Sequence, residues 1–270
     1  MSTIKEIINF LEQLAPPVYQ ESYDNCGLLT GNANWDLTKI LVTLDCTEDV
    51  VNEAINKGCN LIIAHHPIIF GGLKKLNGKN YVERTVIKAI KNDIAIYAIH
   101  TNLDNVLNGV NAKICEKLGL IESHILAPKL NLLKKLNVYV PQSHLPQVQQ
   151  AIFDAGAGSI GNYSECSFYA AGTGTFRPNE NSDAFVGEVN TLHHEPEYKL
   201  EVLVNEANIN QVVAAMLANH PYNEVAYDIV PILNAHKQVG SGMIGILPTE
   251  PDANAFLAHL KTAFNLNTLR

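Results

Sequence analysis

Three histidines and one aspartate stand where two apolar runs end. Leu61-Ile62-Ile63-Ala64 leads into His65-His66-Pro67, and Ile94-Ala95-Ile96-Tyr97-Ala98-Ile99 leads into His100-Thr101-Asn102-Leu103-Asp104. Imidazole and carboxylate together suit zinc, iron, nickel or manganese better than calcium or magnesium. A single histidine at a strand end is ordinarily a hydrogen-bonded loop residue. Two strand ends carrying three imidazoles and a carboxylate point instead to a divalent-metal site. Neighbouring residues of an extended chain face opposite ways, so His65 and His66 share an ion only if the chain bends beyond them. Pro67 restricts His66 and supplies that bend. No serine or cysteine nucleophile with a nearby base is recognisable, so the metal ligands carry the chemistry.

These residues need elements that hold them. Apolar runs with branched residues read as buried strands of a parallel sheet, and open α/β sheets place ligands at the carboxyl ends of such strands. The spacing predicts strands over 39–45, 60–64 and 94–99. Helices are predicted after the Thr3 capping box, after Thr47 up to Gly58, over 81–91 and over 110–118. The third has Val82, Val86, Ile87 and Ile90 inward. Tyr23-Asp24-Asn25-Cys26-Gly27 reads as a structural turn. Alternation of strand and helix implies a mostly parallel sheet.

Near residue 130 the character changes. After a connector, 128–135, the pattern strand–helix–strand occurs twice at an offset of 64: 136–140, 144–154 and 162–169, then 199–205, 208–218 and 225–232. Two such βαβ units make a ferredoxin-like α+β sandwich. Gly172 to Pro178 reads as the way into a polar loop, with His193-His194-Glu195 at its far side. Beyond Lys237 a glycine-rich turn, a strand over 243–247 and a helix over 251–264 follow. The expected domains are therefore 1–131, 132–236 and 237–270.

Composition narrows the rest. At 47% hydrophobic and 17% charged residues, the 270-residue chain can build a sizeable core. A net charge of -8 argues against a nucleic-acid surface. The five cysteines are scattered, with no C-x-x-C, which fits free thiols in a reducing cytoplasm. No apolar run approaches the roughly 18 residues of a membrane span.

Asp24-Asn25-Cys26-Gly27-Leu28, Ala64-His65-His66-Pro67 and His100-Thr101-Asn102-Leu103-Asp104 together resemble the Nif-three-like family. Its members carry the label GTP cyclohydrolase 1 type 2 homologue. The resemblance implies a two-lobed α/β fold with a dinuclear site for zinc, iron, manganese or nickel. It also implies an inserted PII/CutA-like domain at 132–236. Its ligands fall on His65, His66 and Asp104, with His100 behind them as a second layer. No other cofactor is implied. A histidine and a glutamate near the C-terminus complete the family's site, and residues 237–270 hold only the opening of a second lobe. A truncated chain with weak, sub-stoichiometric metal binding is therefore expected. Pro221 separates His220 from Glu224, so that pair is not expected to ligate, nor is His193-His194-Glu195. The implied activity is metal-dependent hydrolysis of a nucleotide- or pterin-like substrate. The alternative is a metal-binding regulatory or trafficking protein without turnover. Self-association into a trimer or hexamer ring is expected, with no nucleic-acid or membrane partner.

Overall fold

The computed structural model describes residues 2–269. The chain forms two compact units, one holding residues up to Pro128 and from Lys237 onward, the other Lys129–His236.

The first unit begins with α1 (Ile4–Leu14), β1 (Gly27–Thr30), β2 (Ile40–Asp45), α2 (Glu48–Lys57), β3 (Leu61–His66), α3 (Tyr81–Lys91), β4 (Ala95–Ala98), α4 (Thr101–Asn105), α5 (Val110–Leu118) and β5 (Ile121–Lys129). Its four-stranded sheet runs β1-β4-β3-β2. β2, β3 and β4 are parallel, and β1 joins the far edge antiparallel to β4. Residues 61–64 of β3 and all of β4 are apolar because both faces are covered there, with Leu61, Ile62, Ala64, Ala95, Ile96 and Tyr97 fully buried. Caps set the crossover helices. Thr47 accepts the Val50 N–H at the start of α2, Asn80 accepts the Glu83 N–H at the start of α3, and Gly58 closes α2 in the left-handed region. The Thr3 capping box does not form. Thr3 offers no side-chain cap, and its carbonyl accepts the Glu6 N–H instead. On α3 the buried face is Glu83, Thr85, Val86 and Ala89, while Ile90 is half exposed.

The second unit contains β6 (Leu133–Pro141), α6 (Leu145–Asp154), β7 (Ser167–Phe176), β8 (His193–Asn205), α7 (Ile209–Asn219) and β9 (Tyr227–Pro231). Its antiparallel sheet is ordered β7-β8-β6-β9. One face packs Leu136, Val138, Val140, Leu200, Val202 and Val204 against Val148 and Ile152 of α6 and Val212 and Met216 of α7. The repeated halves therefore share one core. Two expectations change. The connector residues Lys134 and Lys135 already lie in β6, paired with Val204 and Leu203. Gly172–Phe176 and His193–Glu195 form no loop but extend β7 and β8 as a paired ribbon, Phe176 opposite His193. Small residues at 170–174 hid this strand, because strand periodicity is read from apolar alternation.

The chain returns to the first unit through β10 (His236–Ile246) and α8 (Ala253–Phe264). β10 pairs with β5, a strand that shows no apolar alternation of its own. Gly240 makes this pairing possible, since a Cβ there would collide with the Ala127 carbonyl. Residues 237–264 thus belong to the same compact unit as residues up to Pro128.

Candidate metal centre

β3 runs through both histidines instead of stopping at Ala64. Both rings still meet, because the neighbouring strands end at different heights. β4 ends at Ala98, opposite Ala64, whereas β2 continues so that Asp45 pairs with His66. Beyond β4 the Ile99 N–H still donates to the Ala64 carbonyl, and the Ile99 carbonyl meets the His65 ring at 2.9 Å. Ile99 and His100 follow β4, and the short helix α4 fixes His100. The His100 N–H donates to the Asn102 side chain at 2.9 Å, and fully buried Asn102 donates in turn to the Ala15 carbonyl at 2.7 Å. The three imidazoles form a triangle, with ring centroids 5.1, 5.1 and 5.4 Å apart. One ring nitrogen from each lies within 4.8 Å of the other two.

The hydrogen bonds decide what these rings can do. His65 Nδ1 lies 2.9 Å from the Ile99 carbonyl, His66 Nδ1 lies 2.8 Å from Asp45 Oδ1, and His100 Nδ1 lies 2.9 Å from Asp24 Oδ1. A carbonyl and a carboxylate only accept, so each Nδ1 carries the proton and donates it. Each Nε2 is left with its lone pair. This is the arrangement in which histidines bind metal, their far nitrogen tied to a carbonyl or carboxylate. Asp104 Oδ1 stands 3.6 Å from His65 Nε2 and adds a carboxylate beside the triangle. The donor set, imidazole nitrogens with one carboxylate, fits a borderline divalent cation.

Asp24 anchors the centre from below. Its side chain is fully buried. It accepts from the Asn25 and Thr101 N–H groups, the Thr101 hydroxyl, the Cys26 thiol and His100. Burial pushes its carboxyl up, but the bonds from Thr101, His100, Cys26 and Asn25 outweigh that and hold it well below the usual carboxylate range. Cys26, pushed up to about 11 by burial and by Asp24, stays protonated and serves as a donor. Asp45 is different, with its side chain 60% exposed.

The structure thus brings His65, His66 and His100 together and sets Asp104 beside His65. His100, expected behind the ligands, stands in the triangle, and Asp24 stands behind it. Residue spacing does not single out Asp24 or Asp45. Asp24 lies in a segment that reads as a turn, and Asp45 ends a parallel strand one position over from the histidine strand. The His220–Glu224 pair makes no centre. His220 accepts the Tyr222 N–H at Nδ1 and donates from Nε2 to the Tyr139 carbonyl, so both nitrogens are used. His193 is paired with Glu195 at 2.8 Å. Among the described residues, no helix is long and apolar enough to cross a membrane.

A Halalkalibacterium halodurans protein named GTP cyclohydrolase 1 type 2 homolog is 43% identical over 265 residues, 98% of this chain and 71% of the relative. A Bacillus subtilis protein of the same name is 41% identical, over 98% of this chain and 72% of the relative. The crystal structure of a Bacillus cereus protein related to NIF3 matches with a TM-score of 0.84 at 40% identity, covering all of this chain and 72% of the other. The pattern of the DUF34/NIF3 family, NGG1p interacting factor 3, matches residues 2–270, and the chain belongs to that family.

Proposed function

We propose that this chain is a divalent-metal-dependent hydrolase acting on a nucleotide- or pterin-like ring, the class that the name of its relatives suggests. One observation carries the reading: three imidazoles share a triangle, and each has its Nδ1 committed and its Nε2 lone pair free. His65, His66 and Asp104 are read as ligands, with His100 as a further imidazole donor. Two ions per site, of zinc, iron, manganese or nickel, are the expected complement. When bound, such ions lower the pKa of coordinated water and polarise the electrophile, so no side-chain nucleophile is required. The chain's own part is positional. The Ile99 carbonyl, Asp45 and Asp24 hold the three rings in one tautomer, and Thr101 and Cys26 keep Asp24 ionised.

We read Lys129–His236 as the family's inserted ferredoxin-like domain of the PII/CutA type, on its strand order and its two helices. The reading extends to a homo-oligomer, trimer or hexamer ring, which light scattering of the purified protein tests. It also extends to the cytoplasm, on five free thiols. Because domains of this type sense small molecules, a regulatory or trafficking protein without turnover is the second reading.

The test strips the protein with chelator and reloads it with one metal at a time. Each form is then assayed on nucleotides, pterins and phosphoesters. Metal-dependent turnover that disappears in His65→Ala supports the hydrolase. Stoichiometric metal without turnover selects the second reading. Failure to bind any of the four metals overturns both.

A further inference from the structure

We propose that Lys129–His236 carries a second small-molecule site, shaped for a planar heterocycle that offers two adjacent N–H donors, as the aminopyrimidinone edge of guanine does. The site is a cavity of ≈ 510 Å³ built entirely from this unit. That lies within the range of pockets that enclose small ligands. It shares no residue with the imidazole triangle, so it goes beyond the metal reading and does not depend on it.

The walls are aromatic. Tyr222 sits between Phe176 and Phe185, with ring centroids 5.9 and 6.2 Å away, and Phe185 is half exposed at the mouth. Such surfaces take flat rings by stacking. The floor is Glu197, only 7% exposed. A carboxylate this deep is normally matched by a cation or several N–H donors. Glu197 has neither among the described residues; its Oε1 accepts one neutral donor, the Tyr222 hydroxyl, at 2.9 Å. Gly174 runs alongside, and a Cβ there would collide with Glu197 Oε2, so the glycine leaves that oxygen its room. A buried acceptor short of donors, facing a cavity with aromatic walls, calls for a ring that brings the donors.

The full chain, stripped of metal, is titrated with guanosine by calorimetry, and with inosine, which lacks the exocyclic amine. We expect saturable binding of guanosine at about one per chain, with inosine weaker by about tenfold, the worth of one hydrogen bond to a charged group. Glu197→Gln should weaken guanosine by tenfold or more, and Phe185→Ala should weaken it several-fold. The double variant His65→Ala/His66→Ala should bind guanosine as the parent does, which separates this site from the metal centre. Should Glu197→Gln melt early, Phe185→Ala decides, since that exposed ring is not part of the core. No saturable guanosine binding up to millimolar concentration, equal affinity for inosine, or unchanged affinity in a well-folded Phe185→Ala would each overturn the proposal.

Discussion

Two regions of this molecule are rich in histidine, and they use it in opposite ways. In the first unit, His65, His66 and His100 each give Nδ1 to an acceptor and keep Nε2 free. In the second, His220 spends both nitrogens on the backbone, and His193 is bound to Glu195. Both regions contain adjacent or closely spaced histidines with acidic neighbours. What separates them is the supply of acceptors. Strand ends offer bare carbonyls and carboxylates on one side of each ring and open space on the other. His220, bonded at both nitrogens, has no open side. Spacing of histidines therefore signals a metal centre only where the fold leaves one nitrogen of each without a partner.

The sharpest way to break this comparison is to delete rings from each region. His65→Ala/His66→Ala should lower metal affinity by more than the roughly 100-fold that outer partners are worth, whereas His193→Ala should leave it unchanged. Metal analysis after chelation and reloading reads both. Equal retention by the two variants would erase the distinction.

Next in size is Asp24→Asn. Five donors converge on its two oxygens, and an amide nitrogen can accept none of them. Metal affinity should fall roughly 10–100-fold, with some loss of thermal stability. Asp45→Asn touches a water-exposed partner of His66 and should sit at the low end, about tenfold, with the melt unchanged. An Asp45 effect exceeding that of Asp24 would contradict the ranking by burial.

The smallest effect belongs to the second unit. Burial holds His220 below its ordinary value, so the unfolded chain binds that proton more readily. Its contribution to stability is complete above the unfolded value, about 6.5, and is lost as pH falls from there through the folded value. Buried His236 is shifted the same way and adds to the slope. Thermal melts of the full chain between pH 7.5 and 5 should show declining stability, with a shallower decline in His220→Gln. An unchanged slope in that variant would mean His220 is not the neutral, buried ring described here.

Much was legible in the chain itself. The runs at 61–64 and 94–99 declared buried strands because residues covered on both faces must be apolar. The histidines after them declared strand-end chemistry. The 64-residue repeat declared two halves that needed a shared core, and the three short motifs declared the family. Other features depended on partners distant in sequence. β5 and the ribbon at 172–176 and 193–196 are strands because of what they pair with, and their own residues carry little periodicity. Asp24 lies 76 residues from His100. Only the fold could show that a turn-forming aspartate is the buried anchor of the His100 ring. The tautomer of each histidine was likewise beyond the sequence. It is set by which acceptor faces Nδ1, and the sheet places that acceptor by ending β4 short and letting β2 run on.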